Sequence, residues 1–163
     1  MHRSLDWKAA FWAGIAAGVV FMALEMLLVM LVKGDSPWAP PRMIAAMVMG
    51  KDVLPPPAPF DGGVMAVAMM IHMVLSVVLG LVLGWLISSW RLGMATAIIA
   101  GTLFGLIIYF VNFYLFTGIW PWFAMARGPI SIFVHAAFGF VLGWVYRALE
   151  SRTEDLHRAD AEG

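Results

Sequence analysis

The chain has 163 residues, of which 63% are hydrophobic and 12% are charged, and its formal net charge is zero. A soluble domain of this length would carry about twice that charged fraction. The zero net charge gives no basis for binding nucleic acid. Because the chain has no cysteine, disulfides, thiolate metal sites and iron–sulfur clusters are excluded.

Four apolar stretches approach or reach the length of about 20 residues that a helix needs to cross a bilayer. Each is far too long for a β-barrel strand, and only helices or closed barrels satisfy the backbone in lipid. We therefore predict an all-α membrane protein with four transmembrane helices, and a single domain over residues 1–163. The predicted spans are residues 9–32, 64–89, 94–118 and 129–146.

The connections between the spans differ in length. The first is long and contains a predicted short amphipathic helix at residues 42–53, lying on the outer membrane face. Its apolar stripe is formed by Met43, Ile44, Met47 and Val48. The prolines of residues 55–59 predict a stiff extended link. The second connection, at residues 91–93, is so short that the spans it joins are expected to be antiparallel neighbours.

The distribution of lysine and arginine favours an orientation with both termini in the cytoplasm. Six basic residues fall on the side of the termini and four on the opposite side. The six are Arg3, Lys8, Arg91, Arg147, Arg152 and Arg158; the four are Lys33, Arg42, Lys51 and Arg127. Residues 149–163 are expected to form a charged cytoplasmic tail, with fraying from Arg147 onwards.

Two offsets align one half of the chain with the other. An offset of 87 residues places Ala10, Gly14, Gly18 and Glu25 on Ala97, Gly101, Gly105 and Asn112. An offset of 63 residues places His72, Val78 and Gly80 on His135, Val141 and Gly143. We therefore predict two tandem repeated helical hairpins, at about residues 9–89 and 94–148.

Each predicted span contains a G-x-x-x-G pattern, which lets helix backbones approach closely in lipid. The glycines are Gly14/Gly18, Gly80/Gly84, Gly101/Gly105 and Gly139/Gly143. All eight fall in the inner half of the predicted spans. The helices are therefore expected to pack tightly there.

Four polar side chains on four different spans are predicted to share one layer. At 1.5 Å per residue, Glu25, His72, Asn112 and His135 lie about 10 to 12 Å below the outer ends of their spans. Intramembrane polar residues nearly always face protein. The simplest interpretation is a structural network with His72–Glu25 and His135–Asn112 pairs.

Three other interpretations of this layer stay open. His72 and His135 could be the axial ligands of a haem b. With Glu25 they could hold zinc or copper, and Met69 and Met73 add soft sulfur ligands suited to Cu(I). A glutamate beside histidines is also typical of proton relays, and internal repeats are typical of transporters. Transport through four helices would require an oligomer.

The sequence contains no nucleophile–base arrangement or nucleotide motif, so no enzymatic activity is predicted. Ser76, Ser88, Ser89 and Ser131 have no catalytic context. The favoured function is a small integral-membrane accessory or structural subunit of a larger bacterial membrane complex, such as a respiratory one. The expected partners are the lipid bilayer and other membrane-protein subunits or further copies of the chain.

Several short segments resemble those of small four-span proteins of bacterial inner membranes, some of which are labelled sodium:proline symporters. The segments are Ser36-Pro37-Trp38, residues 42–50, Asn112-Phe113-Tyr114 and Pro121-Trp122-Phe123. The resemblance covers most of the chain and implies an inner-membrane, four-span fold. It implies no particular chemistry and no functional residues.

Overall fold

The structure, a computed structural model, describes residues 5–162, and the side chains of residues 5–153. Within this range the chain forms five α-helices and no strand. The α-helices are α1 (Trp7–Leu28), α2 (Ala39–Met49), α3 (Gly62–Ser89), α4 (Met94–Phe110) and α5 (Pro129–Glu162). Both α1 and α4 continue into a π-helical turn, at Val29–Lys33 and Val111–Leu115. Short 3₁₀ segments lie at Lys51–Val53, Phe116–Gly118 and Pro121–Ala126.

Four helices in the described part of the chain are long and apolar enough to cross a membrane. They cover Trp7–Lys33, Gly62–Ser89, Met94–Gly118 and Pro129–Thr153. The predicted all-α fold with four transmembrane helices is therefore confirmed, and the chain is a multi-pass membrane protein. The division into two repeats with a separate tail stays a prediction.

Aspartate side chains begin two of the spanning helices. Asp6 accepts a hydrogen bond from the backbone N–H of Ala9 at 3.0 Å, and Asp61 accepts one from Val64 at 2.9 Å. Such caps satisfy N–H groups that have no partner inside the helix. They also place a charged residue at each helix start, where an apolar span leaves the hydrocarbon.

The helices do not pack equally. α1 lies along both α3 and α5, and α4 lies along α5, whereas α3 and α4 contact each other sparsely. We call the end of the bundle that carries α2 the α2 end. The opposite end, where α1 begins and α3 turns into α4, is the turn end.

α3 and α4, predicted to be antiparallel neighbours, lie together only at the turn end. The four residues from Trp90 to Gly93 hold the helix ends together, with Arg91 in a left-handed conformation at φ 51°. Away from this turn the two helices diverge, because α3 packs on α1 and α4 packs on α5. A short connection fixes proximity at one end and does not require packing along the length.

Glycines form the closest contacts between the spanning helices. A Cβ atom added to Gly101 would overlap the carbonyl oxygen of Gly139, and one added to Gly139 would overlap that of Gly101. On the other pair of helices, a Cβ on Gly14 would come within 2.7 Å of the carbonyl oxygen of Ser76. Gly84 differs, because a side chain there would meet the ring of Tyr146.

The glycine contacts match under the two offsets. A Cβ on Gly80 would meet the carbonyl oxygen of Ala10, and a Cβ on Gly143 would meet that of Ala97. Ala97 corresponds to Ala10 at 87 residues, and Gly143 corresponds to Gly80 at 63 residues. The hairpins α1–α3 and α4–α5 therefore make backbone contacts at positions that correspond under the two offsets.

α2 occupies the predicted place, and its most buried face includes alanines beside the predicted stripe. Its alanines Ala45 and Ala46 are buried, and Ala45 packs with Ala68 and Val64 of α3. Val48, on the predicted apolar stripe, is 73% exposed. The small alanine side chains let α2 approach α3 closely, and Ile44 of the predicted stripe packs against this contact.

Two arginines fasten the connections at the α2 end. Arg42 donates hydrogen bonds to the carbonyl oxygens of Val53 and Pro59, the latter just before α3. Arg127 donates to the carbonyl oxygen of Phe113 at 2.7 Å, at the end of the α4 span. A further bond of 3.0 Å, from the indole N–H of Trp122 to the carbonyl of Met43, joins the two connections.

The expected fraying after Arg147 is not observed, since α5 stays helical to Glu162. Glu150 is only 3% exposed. Its carboxylate forms an ion pair with Arg147 at 3.1 Å and accepts a hydrogen bond from Ser88 on α3. These contacts hold the start of the charged stretch against the bundle.

Candidate functional site

The polar layer is divided among three helices and one π turn. Glu25 on α1, His72 on α3 and His135 on α5 are buried, and Asn112 is half-buried in the π turn that follows α4. All four therefore face protein rather than the surface. Their pairing, however, differs from the predicted pairing.

His135 takes part in the predicted pair with Asn112. The Nδ2 atom of Asn112 lies 3.2 Å from Nε2 of His135, and Nδ1 of His135 lies 2.7 Å from the carbonyl oxygen of Ser131. A carbonyl oxygen can only accept, so Nδ1 carries the proton and Nε2 accepts from the asparagine amide. The imidazole therefore uses both nitrogens.

Glu25 does not pair with His72. Its Oε1 atom accepts a hydrogen bond of 3.0 Å from the hydroxyl of Ser131 on α5. Its Oε2 atom is buried and has no hydrogen-bond partner among the described residues. The prediction of the pair was wrong because it rested on depth, whereas the side chain of Glu25 faces α5 rather than α3.

His72 instead donates from Nε2 to the backbone carbonyl of Gly18 on α1, at 2.9 Å. That carbonyl already belongs to the helix ladder of α1, and a carbonyl oxygen has a second lone pair for such a bond. Gly18 precedes Glu25 by seven residues, or about 10 Å along the helix. The layer is therefore staggered, with His72 nearer the turn end than Glu25.

The ring of Phe21 packs against both histidines. Its centroid lies 5.1 Å from that of His72 and 4.8 Å from that of His135, and it also meets the ring of Phe138 edge-on. A haem with both histidines as axial ligands would have to displace this ring and break the bonds of both Nε2 atoms. The arrangement therefore does not fit a bis-histidine haem.

The same side chains do not form a metal-ligand set. Among residues 5–153, no group of three His, Cys, Asp or Glu side chains is placed to hold a metal ion. Glu25 and the two histidines are each engaged with different partners. Copper binding that also uses Met69 and Met73 stays a prediction.

Sequence reasoning missed a second buried polar cluster, at the turn end. The hydroxyl groups of Ser88 and Tyr146 lie 2.5 Å apart, and Ser88 donates to Oε1 of Glu150 at 2.8 Å. The backbone N–H of Asp6 is 3.4 Å from the Tyr146 hydroxyl. The cluster joins the start of α1, the end of α3 and α5.

Helical spacing could have revealed several of these residues. Ser131 precedes His135 by four positions, and Tyr146 precedes Glu150 by four positions, so each pair lies on one face of α5. Ser88 carries no such signal, because only the packing of α3 on α5 brings its hydroxyl to the cluster.

Comparisons of the chain with protein-family models, curated proteins and solved structures found no match. The resemblance to small inner-membrane proteins therefore stays a prediction.

Proposed function

We propose that the protein is a small integral-membrane accessory or structural subunit of a larger complex in the bacterial inner membrane. One observation carries this proposal: every hydrogen bond of the polar layer between two helical segments serves to hold those segments together. Glu25 connects α1 to α5, His72 connects α3 to α1, and Asn112 connects the α4 span to α5. Polar groups that are engaged in hydrogen bonds between helices support the role of a scaffold rather than that of a reaction centre.

The outer surface of the bundle supports the same proposal. Large apolar side chains are exposed on all four spanning helices, including Leu27, Met70, Ile99 and Phe133. Lipid covers such a surface well, and so do the helices of other subunits. We further propose that the two hairpins are a tandem repeat held by its glycine contacts, and that both termini are cytoplasmic.

Copurification tests the proposal. The tagged chain is extracted from its native membranes in a mild detergent, and its native mass and companions are determined. We expect it to migrate with a larger complex that contains other membrane proteins. A four-span protein with the same tag is the control for nonspecific capture.

The absorbance spectrum and metal content of the purified protein complete this test. We expect neither a haem spectrum nor stoichiometric metal. Recovery of the chain without any other protein, under conditions that preserve known membrane complexes, would contradict the accessory-subunit proposal. The haem, copper and transport hypotheses stay predictions, and no contact among the described residues favours them.

A further inference from the structure

We call the interface between a helix of one hairpin and a helix of the other a seam. The two seams of this bundle differ in how closely their helices pack. Under the offsets, α4 corresponds to α1 and α3 corresponds to α5, so the seam between α1 and α5 has a counterpart between α4 and α3. The first seam is closed by Glu25, Phe21 and their partners on α5. The second is open except near the turn. Its two faces therefore lack the cover that their counterparts have.

Exposure of the α3 face shows this difference. Leu75 is 47% exposed, whereas its counterpart Phe138 on α5 is 3% exposed. Its neighbours on the same face are similarly uncovered, although Val141 and Val145, the counterparts of Val78 and Val82, pack against the core. These neighbours are Val74, Val78 and Val82, at 58%, 48% and 43%.

The α4 face is likewise more exposed than the corresponding face of α1. Leu103 and Ile107 are 55% and 58% exposed, and their counterparts Ala16 and Val20 are half-buried. Thr96 is exposed where the counterpart Ala9 is buried. Both halves of the open seam are thus apolar and unpaired within one chain.

We propose that a second copy of this chain covers the open seam. α3 of each copy packs against α4 of the other, in a two-fold symmetric dimer whose axis runs along the membrane normal. The closed seam between α1 and α5 is the template for both contacts, and both complementary faces are present on every copy. Two-fold dimers are the commonest closed assemblies because one such contact is made twice.

Depth along the helices supports the pairing. Leu75 lies fourteen residues before the end of α3 at Ser89, and Ile108 lies fourteen residues after the start of α4 at Met94. Both are therefore about 21 Å from the turn end. Their counterparts, Phe138 and Phe21, are in ring contact at 6.0 Å in the closed seam. α2 already covers Ala68, and α3 and α4 of one chain meet at the turn, so the contact between copies lies in the middle of the spans.

Disulfide crosslinking tests the dimer, since the chain has no cysteine of its own. Leu75→Cys and Ile108→Cys are made in two differently tagged chains, which are produced together and oxidised in native membranes. We expect a crosslinked heterodimer of the two tags. Neither variant alone should crosslink to itself, because each cysteine faces the other helix and lies away from the symmetry axis.

A matched control uses Val19→Cys with Phe140→Cys. These side chains are 53% and 45% exposed, on surfaces of α1 and α5 outside the seam. Their counterparts in the other hairpin are Leu106 and Val77, each two residues from a tested position, so the control cysteines lie at a similar depth. They should not crosslink. A second pair, Val78→Cys with Phe104→Cys, samples the seam about one turn closer to the turn end. It serves if Leu75→Cys fails to accumulate.

The outcomes separate the possible occupants of the seam. A heterodimer from either seam pair, with none from the control pair, supports the proposal. A crosslink to a different protein, no crosslink at all, or a disulfide within a chain that carries both cysteines would overturn it. The inference does not rest on the accessory-subunit proposal: a homodimer without other proteins contradicts only that proposal, and a complex containing one copy contradicts only this one.

Discussion

Ser131 is the residue on which two contacts of the polar layer converge. Its hydroxyl donates to Glu25 and its carbonyl accepts from His135. It therefore links a carboxyl group on α1 to the imidazole that holds Asn112. The second oxygen of Glu25 has no hydrogen-bond partner among the described residues, so this hydroxyl is the main support of the carboxyl group.

Replacing Ser131 with alanine should destabilise the protein measurably. The change would leave both oxygens of Glu25 buried without a donor, which costs about 1–3 kcal/mol. Glu25→Gln keeps an acceptor for the serine hydroxyl and should have the smaller effect. The measurement is the free energy of unfolding in mixed detergent micelles, followed by circular dichroism.

Ser151→Ala is the control for this prediction, because that hydroxyl bonds only to the carbonyl of Ala148 in its own helix. It should leave the unfolding free energy nearly unchanged. Equal stability of Ser131→Ala and Ser151→Ala would show that the bond to Glu25 contributes nothing.

At the scale of helices, the packing of α4 on α5 depends on direct contact between the two helix backbones at glycines. Gly101 and Gly139 each occupy a position where the other's carbonyl oxygen leaves no room for a side chain. Such approach also brings His135 within reach of Asn112. The helix contact and the polar contact therefore stabilise one another.

We expect Gly139→Ala to force α4 away from α5 and to lower the unfolding free energy by about 1–3 kcal/mol, the usual cost of overpacking. Gly118→Ala is the control, since a Cβ there would meet nothing within 4 Å. Alanine also raises helix propensity at Gly139 by roughly 1 kcal/mol, so any loss would be due to the contact. Unfolding of both variants at matched detergent concentration measures the difference, and a Gly139→Ala protein at least as stable as Gly118→Ala would refute it.

The sequence was sufficient for the spans and for the Asn112–His135 pair. Hydropathy locates the start of each span to within a few residues. α4 packs chiefly along α5, so Asn112 meets few side chains other than those of α5. It was insufficient for Glu25, because depth does not reveal which neighbour a helix face meets. The expected fraying from Arg147 was wrong at Glu150, because charge alone suggested solvent, whereas Glu150 is bonded to Ser88 from a distant part of the chain.

At the scale of the whole molecule, four spans place the two long connections on one side of the membrane and the termini on the other. The distribution of lysine and arginine favours the cytoplasm for the termini. Single cysteines test this orientation. Asp52→Cys and Met125→Cys should react with an impermeant maleimide in intact spheroplasts, and Gly93→Cys only after permeabilisation. The reverse pattern would invert the proposed orientation, and labelling of all three in intact spheroplasts would contradict four spans.

The contacts of α1 with α5 have a consequence for synthesis. Glu25 and Ser131 are 106 residues apart in sequence, and Asp6 and Tyr146 are 140 residues apart. α1 leaves the ribosome before α5 and therefore meets these polar partners only after α5 has been made. Until then Glu25 lacks its hydrogen-bond donor Ser131, so α1 must stay at the insertion machinery or beside another protein that supplies a hydrogen-bond donor. We expect chains truncated before α5 to be degraded rapidly.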